Sequence, residues 1–520
     1  MNAAATPVSS AATPAGAVGA DTPWRPLKAL LGGSFEVPDD FEVADLTLDS
    51  RSVRPGAAFL ACRGRTRHGL EFAQRAVAAG ARAVLWEPAP GVTAPEFSES
   101  VLVVAVPELS AQAGFIADRF FGAPSARLLV AGVTGTNGKT TCAWLLAAAL
   151  SAAGRSCAYL GTLGAGLAGQ VTAGSLTTPD AVTLQRTLAQ LRDAGAAAVA
   201  MEVSSHALDQ QRCAGVRFQI AAFTNLSRGH LDYHGDMRAY AAAKAALFDW
   251  PTLGARVINV DDAFGAELAA RAAPGDTLIA TGRLSDPAQR APGARFVHAR
   301  SCAHRPDGLG LELETSWGRA TLHSRLLGDF NADNLLTVLG MLLAEGMALQ
   351  PACEVLASCE APPGRMQLAG GDRLPLAIVD YAHTPDALDK ALRAARAHCT
   401  GKLLCVFGCG GDRDRGKRAE MARVAESLAD AIYITDDNPR GEDPRRIVAD
   451  ISAGLHAPAR AHIEHNRAAA IAAALATAEA GDVVLVAGKG HEDYQLVGGE
   501  RRAFSDLAQV RAALAGRSAA

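Results

Sequence analysis

The chain is expected to fold as α/β with three domains: a small α/β N-terminal domain, a central domain on a parallel or mixed sheet, and a doubly wound C-terminal domain. Three observations lead there. Short apolar runs suited to buried strands alternate with helix-length segments along most of the chain. One such run, from Leu128, passes through a glycine-rich turn directly into a helix pattern. Finally, 520 residues of which 49% are apolar exceed what one core organises, so the chain divides.

Residues 1–23 are mostly Ala, Pro, Ser, Thr and Gly without a periodic apolar face, and read as a disordered tail because burial cannot offset the entropy of ordering them. The first domain, 24–107, has a turn at Arg54-Pro55-Gly56, a strand at 58–61, a helix over 70–79 and strands at 83–86 and 101–106. The central domain, 108–360, opens with a helix over 110–121, a strand over 128–133 and a helix over 139–153. Strands at 196–201 and 218–223 follow. After Pro362-Pro363-Gly364 the alternation restarts, with strands at 376–379, 403–407, 431–435 and 483–487 and a helix over 467–478. That is the Rossmann-like domain, 361–520.

Charge narrows the function. Fifty Lys plus Arg against 54 Asp plus Glu give a formal net charge of -4, which supplies no broad positive field for a phosphate backbone, so no nucleic acid partner is expected. No run reaches the roughly 18 apolar residues of a membrane span, and no basic residue starts a signal segment before Pro23. A cytoplasmic chain without membrane insertion is predicted. The ten cysteines are scattered, with Cys405 and Cys409 the closest pair, and no disulfide framework is expected. Seven of the 50 basic residues are lysines, at 28, 139, 244, 390, 402, 417 and 489. Where arginine serves as the generic cation, the remaining lysines mark positions that need a compact ammonium or a modifiable amine.

From Leu128 to Thr141 the chain reads as a buried strand, a tight glycine turn and a helix start. The N–H groups of Gly135, Thr136, Asn137 and Gly138 can converge on phosphate oxygens, Lys139 can offset the terminal phosphate charge, and Thr140, followed by Thr141, can ligate magnesium. Five residues separate Gly132 from Gly138 where the usual loop has four. The central domain is therefore expected to be a P-loop-type ATPase domain.

Two later segments place polar groups after apolar strands, where parallel sheets open their crevice: Glu202-Val-Ser204-Ser205-His206, and Thr224-Asn225 through Arg228-Gly229-His230 to His234. Glu202 and His230 can hold a further magnesium ion. His234 alone reads as structural. Lys244, alone among alanines on a helix, taken by itself reads as a solvated lysine.

In order, Gly135 to Thr141, Glu202 to His206, Thr224-Asn-Leu-Ser227, the Lys244 helix, Gly364-Arg-Met366, Asp380-Tyr-Ala-His383-Thr-Pro385 and Gly408-Cys-Gly-Gly-Asp-Arg413 resemble the Mur ligases of peptidoglycan synthesis, over about 24–500. Within that family the chain resembles the members that add diaminopimelate. The resemblance implies a monomeric ATP-dependent amide ligase: ATP phosphorylates the D-glutamyl γ-carboxylate of UDP-N-acetylmuramoyl-L-alanyl-D-glutamate, and an amine of meso-diaminopimelate displaces the phosphate. It implies catalytic roles for Lys139, Lys244, His230 and Glu202, and Mg2+ held by Thr140, Glu202, His230 and Lys244, the last as a carbamate. That chemistry calls for lysine, and not arginine, at 244.

Carried over by position, the nucleotide-sugar pocket uses Leu48, Ser50, Arg65, Thr66 and Arg67, and the peptide end meets Thr177, Thr178, Ser204, Gln210 and Arg212. The adenosine side uses Asn331, Asp380 and His383. The incoming amino acid is received by Arg413, Asp437, Asn438, Pro439, Arg440, Gly488 and Glu492. Arg440 is the planar fork suited to the second carboxylate of diaminopimelate, which lysine lacks. Gly229 stands where the family has aspartate, Asp329 is given no role, and Lys417 is a candidate for the phosphates. The alternatives are the lysine-adding ligase, a folylpolyglutamate-type ligase, and a P-loop ATPase switch with partner-binding outer domains. A dinucleotide turn at Gly408-Cys-Gly-Gly is set aside because Arg413 stands at that fingerprint's third glycine.

Overall fold

The structure, a computed structural model, describes residues 24–32, 35–174, 176–273 and 275–518, so the tail expected over 1–23 lies outside the described residues. The chain forms two units, one of residues up to Ala123 with 180–186 and 210–216, the other of the remainder.

In the first unit a four-stranded parallel sheet runs in the order Asp45–Thr47, Ala57–Ala61, Ala83–Trp86, Leu102–Ala105. The helix Leu109–Phe120 turns Leu109, Ala113 and Ile116 onto Leu46, Leu60 and Leu85 to close the core. The turn before the second strand is present, with Ala57 N–H donating to Arg54 O at 3.0 Å and Gly56 at φ 84°. The helix expected over 70–79 begins as a 3-10 turn, Gly69–Phe72, and becomes α-helical over Ala73–Ala78. His68 accounts for the early start: its Nδ1 accepts from Leu70 N–H while Glu71 reaches back to the His68 N–H.

The second unit holds two large sheets. The ten-stranded sheet has Leu129–Thr134 between Ala198–Glu202 and Ile220–Phe223, with Cys157–Gly161 and Gly164–Leu167 beyond the former and Ala255–Asn259, Thr277–Gly282 and Arg295–Arg305 beyond the latter. Its centre is parallel, and two further strands, Gly308–Thr315 and Gly318–Ser324, continue one edge as an antiparallel meander. The central strands are apolar throughout because both faces are covered. On one face the helices Lys139–Ala152 and Asp329–Ala344 pack together, and each buries most of its circumference.

The six-stranded sheet runs Gln367–Gly370, Leu376–Asp380, Val483–Ala487, Leu403–Phe407, Ala431–Ile434, Ala461–Ile463, parallel except for its first strand. The fully buried Arg467–Asp506 ion pair (2.7 and 2.8 Å) ties the helix Asp506–Ser518 to the helix Arg467–Thr477. Among the described residues no helix is long and apolar enough to cross a membrane.

Register positions the chemistry. Glu202 pairs with Val133 and Phe223 with Thr134, so Gly135, Glu202 and Thr224 emerge at one carboxyl edge where the strand order reverses. In the other sheet Asp380 pairs with Ala487, Val406 with Val486 and Phe407 with Ile434, which sets Gly408, Thr435 and Gly488 along one edge.

Candidate active site

The loop after Leu129–Thr134 is held from both flanks. Thr136 N–H donates to Asn225 O at 2.8 Å, Asn137 N–H to Asn225 Oδ1 at 3.0 Å, and Thr224 Oγ1 to Asn137 O at 2.6 Å. Glycine is required at two points. A Cβ on Gly135 (φ 150°) would lie 1.9 Å from Thr224 Oγ1, and one on Gly138 (φ 86°) 2.3 Å from Asn334 Oδ1. Lys139 folds back to donate to Gly135 O and Thr136 O, both at 2.9 Å. Burial lowers its pKa, and Glu202 opposes that shift.

Glu202 is 1% exposed, yet its carboxylate is fully dressed. Tyr159 Oη donates to it at 2.5 Å, Thr162 N–H at 2.8 Å and Thr140 Oγ1 at 2.9 Å. Thr140 and Glu202 thus present adjacent hard oxygen donors beside the glycine loop, a set that fits Mg2+. Thr178 Oγ1 donates to Glu202 O and accepts from Ser204 N–H, while Thr177 and Thr162 share a hydroxyl contact of 3.1 Å.

Lys244 reaches the loop from beneath. It is 1% exposed, donates to Gly135 O at 2.6 Å, and lies 4.5 Å from the centre of the Tyr240 ring. Burial and then the Lys139 charge push its pKa down to about 6. His230 sits at φ 53° ahead of the short helix Leu231–His234, its ring 5.0 Å from that of His206. Burial, Lys139 and Lys244 lower its pKa. His234 contacts Ser205 Oγ at 3.0 Å.

A cleft of about 540 Å³ brings together residues 136–141, Thr177, Glu202, Asn331 and Asp380. Asn331 donates to Leu327 O and accepts from Asn334, which orders the helix start beneath the loop. Asp380 accepts from Met366 N–H and Ala382 N–H and so fixes the Gly364–Met366 turn; burial raises its pKa. His383 and Lys417 do not line the cleft. His383 contacts Tyr381 O, and Lys417 Nζ donates to His383 O at 2.9 Å. Thr162, Asp262, Asp333 and Arg365 also line it, and of these Arg365 alone stands in a recognisable motif.

A second polar cluster lies along the carboxyl edge of the six-stranded sheet. Gly411 N–H donates to Asn438 O, and Arg440 Nη1 to Gly411 O at 2.9 Å. Arg440 takes φ 56° while its own N–H and C=O bond Leu496 and Gly498 at 2.9 and 2.8 Å. Buried Asp437 faces Gly488, where a Cβ would sit 2.5 Å from Oδ2; burial raises its pKa, with Arg467 and Lys489 opposing. Asn438 Nδ2 donates to Glu492 at 2.9 Å. Fully buried Lys489 joins the pair, donating to Asn438 Oδ1 at 3.0 Å and to Glu492 at 3.1 Å. A lysine between two glycines carries no sequence mark of burial; its rarity in this chain was the available signal. Arg418, also fully buried, clamps Glu442, Asp450 and Gly410 O and so holds the two loops that frame Arg413 and Arg440.

In the first unit Ser50 is buried beside half-buried Leu48, and Arg65, Thr66 and Arg67 lie on an exposed loop where Arg67 pairs with Glu71. Arg212 there grips Gln210 Oε1 through two N–H donors at 2.9 and 2.6 Å.

Three family descriptions match the chain in order: Mur ligase family, catalytic domain, over residues 42–114; Mur ligase middle domain over 133–342; and Mur ligase, glutamate ligase domain, over 364–490. The chain belongs to the Mur ligase family. It is accordingly an ATP-dependent, ADP-forming amide ligase with that family's three-domain α/β architecture. A UDP-N-acetylmuramoyl-L-alanyl-D-glutamate--2,6-diaminopimelate ligase of Ectopseudomonas mendocina (strain ymp) is 53% identical over 478 residues, 92% of this chain and 96% of that protein. Its namesake in Xanthomonas campestris pv. campestris (strain 8004) is 50% identical over 480 residues, 92% and 95% of the two chains. A solved ligase of the same name aligns with TM-score 0.72 at 35% identity over 95% of this Mur ligase and 99% of that chain. MurF from Thermotoga maritima in complex with ADP shares the fold, with TM-score 0.58 at 19% identity over 91% and 98%.

Proposed function

We propose that this Mur ligase joins an amino group of meso-2,6-diaminopimelate to the D-glutamyl γ-carboxylate of UDP-N-acetylmuramoyl-L-alanyl-D-glutamate, converting ATP to ADP and phosphate. The observation that carries the substrate choice is the polar cluster at the carboxyl edge of the six-stranded sheet. Its 437–440 segment carries the Asp437 carboxylate and the Arg440 guanidinium, and Asn438 of the same segment holds Glu492, which supplies groups of both charges for ammonium and carboxylate. The names of relatives with about half their residues identical support the same choice.

In this reading the glutamyl carboxylate oxygen attacks the γ-phosphorus and ADP departs with the P–O bonding pair. The amine nitrogen then attacks the acyl carbon, the phosphate leaves with the C–O pair, and the nitrogen releases its proton. Lys139 turns from Gly135 O toward the transferring phosphoryl group and offsets its charge. Thr177, Thr178 and Ser204 steer the peptide end beside Glu202. Asn331, Asp380 and His383 serve the adenosine side, while Leu48, Ser50, Arg65 to Arg67, Gln210 and Arg212 hold the nucleotide sugar and its peptide.

When bound, Mg2+ spreads phosphoryl charge, and the residues that would hold it are Thr140, Glu202, His230 and Lys244. As an amine, Lys244 does not suit that role. Its lowered pKa leaves it unprotonated near neutrality, the form that reacts with carbon dioxide to give an anionic carbamate.

Phosphate release measured with and without the nucleotide-sugar dipeptide and diaminopimelate tests the assignment. Turnover that needs both substrates is expected. Turnover independent of the amino acid would favour an ATPase switch, and equal use of lysine would favour the lysine-adding ligase.

A further inference from the structure

The strand Arg295–Arg305 carries Cys302 and His304 two residues apart, so both side chains rise from the same face. Asp329, the first residue of the helix Asp329–Ala344, meets them there. One donor atom from each of the three lies within 4.8 Å of the others, and His304 Nε2 stands 2.6 Å from Asp329 Oδ1. No part of the ligase reaction described above uses this cluster.

We propose that Cys302, His304 and Asp329 form a binding site for a divalent metal ion of the zinc class, separate from the oxygen donors at Thr140 and Glu202. Thiolate, imidazole and carboxylate together favour zinc or cobalt over magnesium. With metal–ligand distances of about 2.0 to 2.3 Å, tetrahedral donors stand about 3.3 to 3.7 Å apart, so His304 and Asp329 separate by under about 1 Å to admit the ion. Their side chains are 31% and 51% exposed, which leaves a path for entry and a fourth position for water.

Surrounding charge and hydrogen bonds agree. Arg283 Nη1 holds the other oxygen of Asp329 at 3.2 Å, the outer contact that orients a ligating carboxylate, and its Nε pairs with Asp333 at 3.2 Å. Asp329, Asp333 and Arg283 leave one net negative charge; the Cys302 thiolate adds a second, and a divalent ion balances both. Cys302 Sγ has no hydrogen-bond partner among the described residues, although it is half-buried. A plain His304–Asp329 ion pair gives no reason for a thiol at its side. On binding, the Cys302 S–H proton goes to solvent, its electron pair forms the sulfur–metal bond, and His304 offers the Nε2 lone pair with its proton on Nδ1. Once filled, the site pins the strand to the first turn of the helix that carries Asn331 and Asn334.

Cobalt titration of the full chain, stripped by chelator and kept in saturating Mg2+, tests the site. One equivalent should raise a thiolate-to-cobalt charge-transfer band and the visible bands of a four-coordinate ion, with release of about one proton per ion. Cys302→Ser should abolish the charge-transfer band, and His304→Ala and Asp329→Asn should each weaken binding about tenfold or more, with circular dichroism unchanged. A wild type without the band, a band that survives in Cys302→Ser, or equal affinity in both His304→Ala and Asp329→Asn would overturn the proposal.

Discussion

Replacing Arg440 with alanine should sharply narrow the preference for diaminopimelate over lysine. The guanidinium is tied through Nη1 to Gly411 O, and its backbone is bonded on both sides to Leu496 and Gly498. Its Nε and Nη2 have no partner among the described residues, so the edge they share is free for a carboxylate. Pinned at both ends, the side chain loses little freedom on pairing. One charged hydrogen bond contributes about 1.5 kcal/mol at the low end and the two-bond edge about 3 kcal/mol; at about 1.4 kcal/mol per tenfold, kcat/KM for diaminopimelate should fall about tenfold to 150-fold. Lysine, without the distal carboxylate, should be used about as well as before. Arg440→Lys should recover little, since an ammonium cannot present two parallel donors. The assay compares kcat/KM for both amino acids in the three proteins. Equal losses for the two substrates would place Arg440 in loop architecture and refute the selectivity argument.

Lys244→Ala and Lys244→Arg should both lose nearly all ligation, and intact-mass measurement of active wild type should show one added carbon dioxide; an unmodified amine would sink the carbamate. Because the folded pKa is lowered to about 6 from an unfolded value of about 10.4, the unmodified protein should gain stability as pH rises through that window, and activity should fall as pH drops through about 6. Gly229→Asp should keep activity or lower the Mg2+ requirement, since a Cβ there meets Thr136 no closer than 3.7 Å; loss of reaction with the fold intact would mean a differently arranged loop. Lys489→Met should raise KM for diaminopimelate far more than it lowers kcat by freeing Asn438 and Glu492, and an effect confined to kcat would remove it from this pocket. Asp506→Asn should destabilise by about 3 kcal/mol or more in denaturant titration, because it leaves buried Arg467 unpaired.

The strand, turn and helix over 128–153 are legible because every local cue agrees: an apolar run buried on both faces, glycines where φ is positive, and a helix that starts at Lys139. Structure and expectation differ there by a single residue at each strand end and at the end of the helix. The antiparallel meander from Arg295 to Ser324 is less readable, since its strands mix exposed charge with short apolar steps; the Pro306-Asp307-Gly308 turn was the one clear cue. At the site, motif residues on a single segment, such as 135–141, are recoverable from sequence. Lys489 is not, because its burial depends on Asn438, 51 residues away, and Arg418 likewise reads as one more surface arginine until Glu442 and Asp450 close around it.

The carbonyl oxygen of Gly135 receives both the Lys139 and the Lys244 amino groups. A carbonyl has two lone pairs, so that oxygen is saturated, and water has no place on it. The loop's two amines are therefore linked like the arms of a balance. In the protein whose Lys244 has not yet taken up carbon dioxide, when Lys139 swings away toward an arriving anion, Lys244 is left alone with the oxygen and relieved of its neighbour's positive field, which raises its affinity for a proton. The state of that unmodified nitrogen thus reports whether the loop above it is filled, and a carbon-13 label on Lys244 in carbon dioxide-free buffer would let nucleotide arrival be watched from underneath.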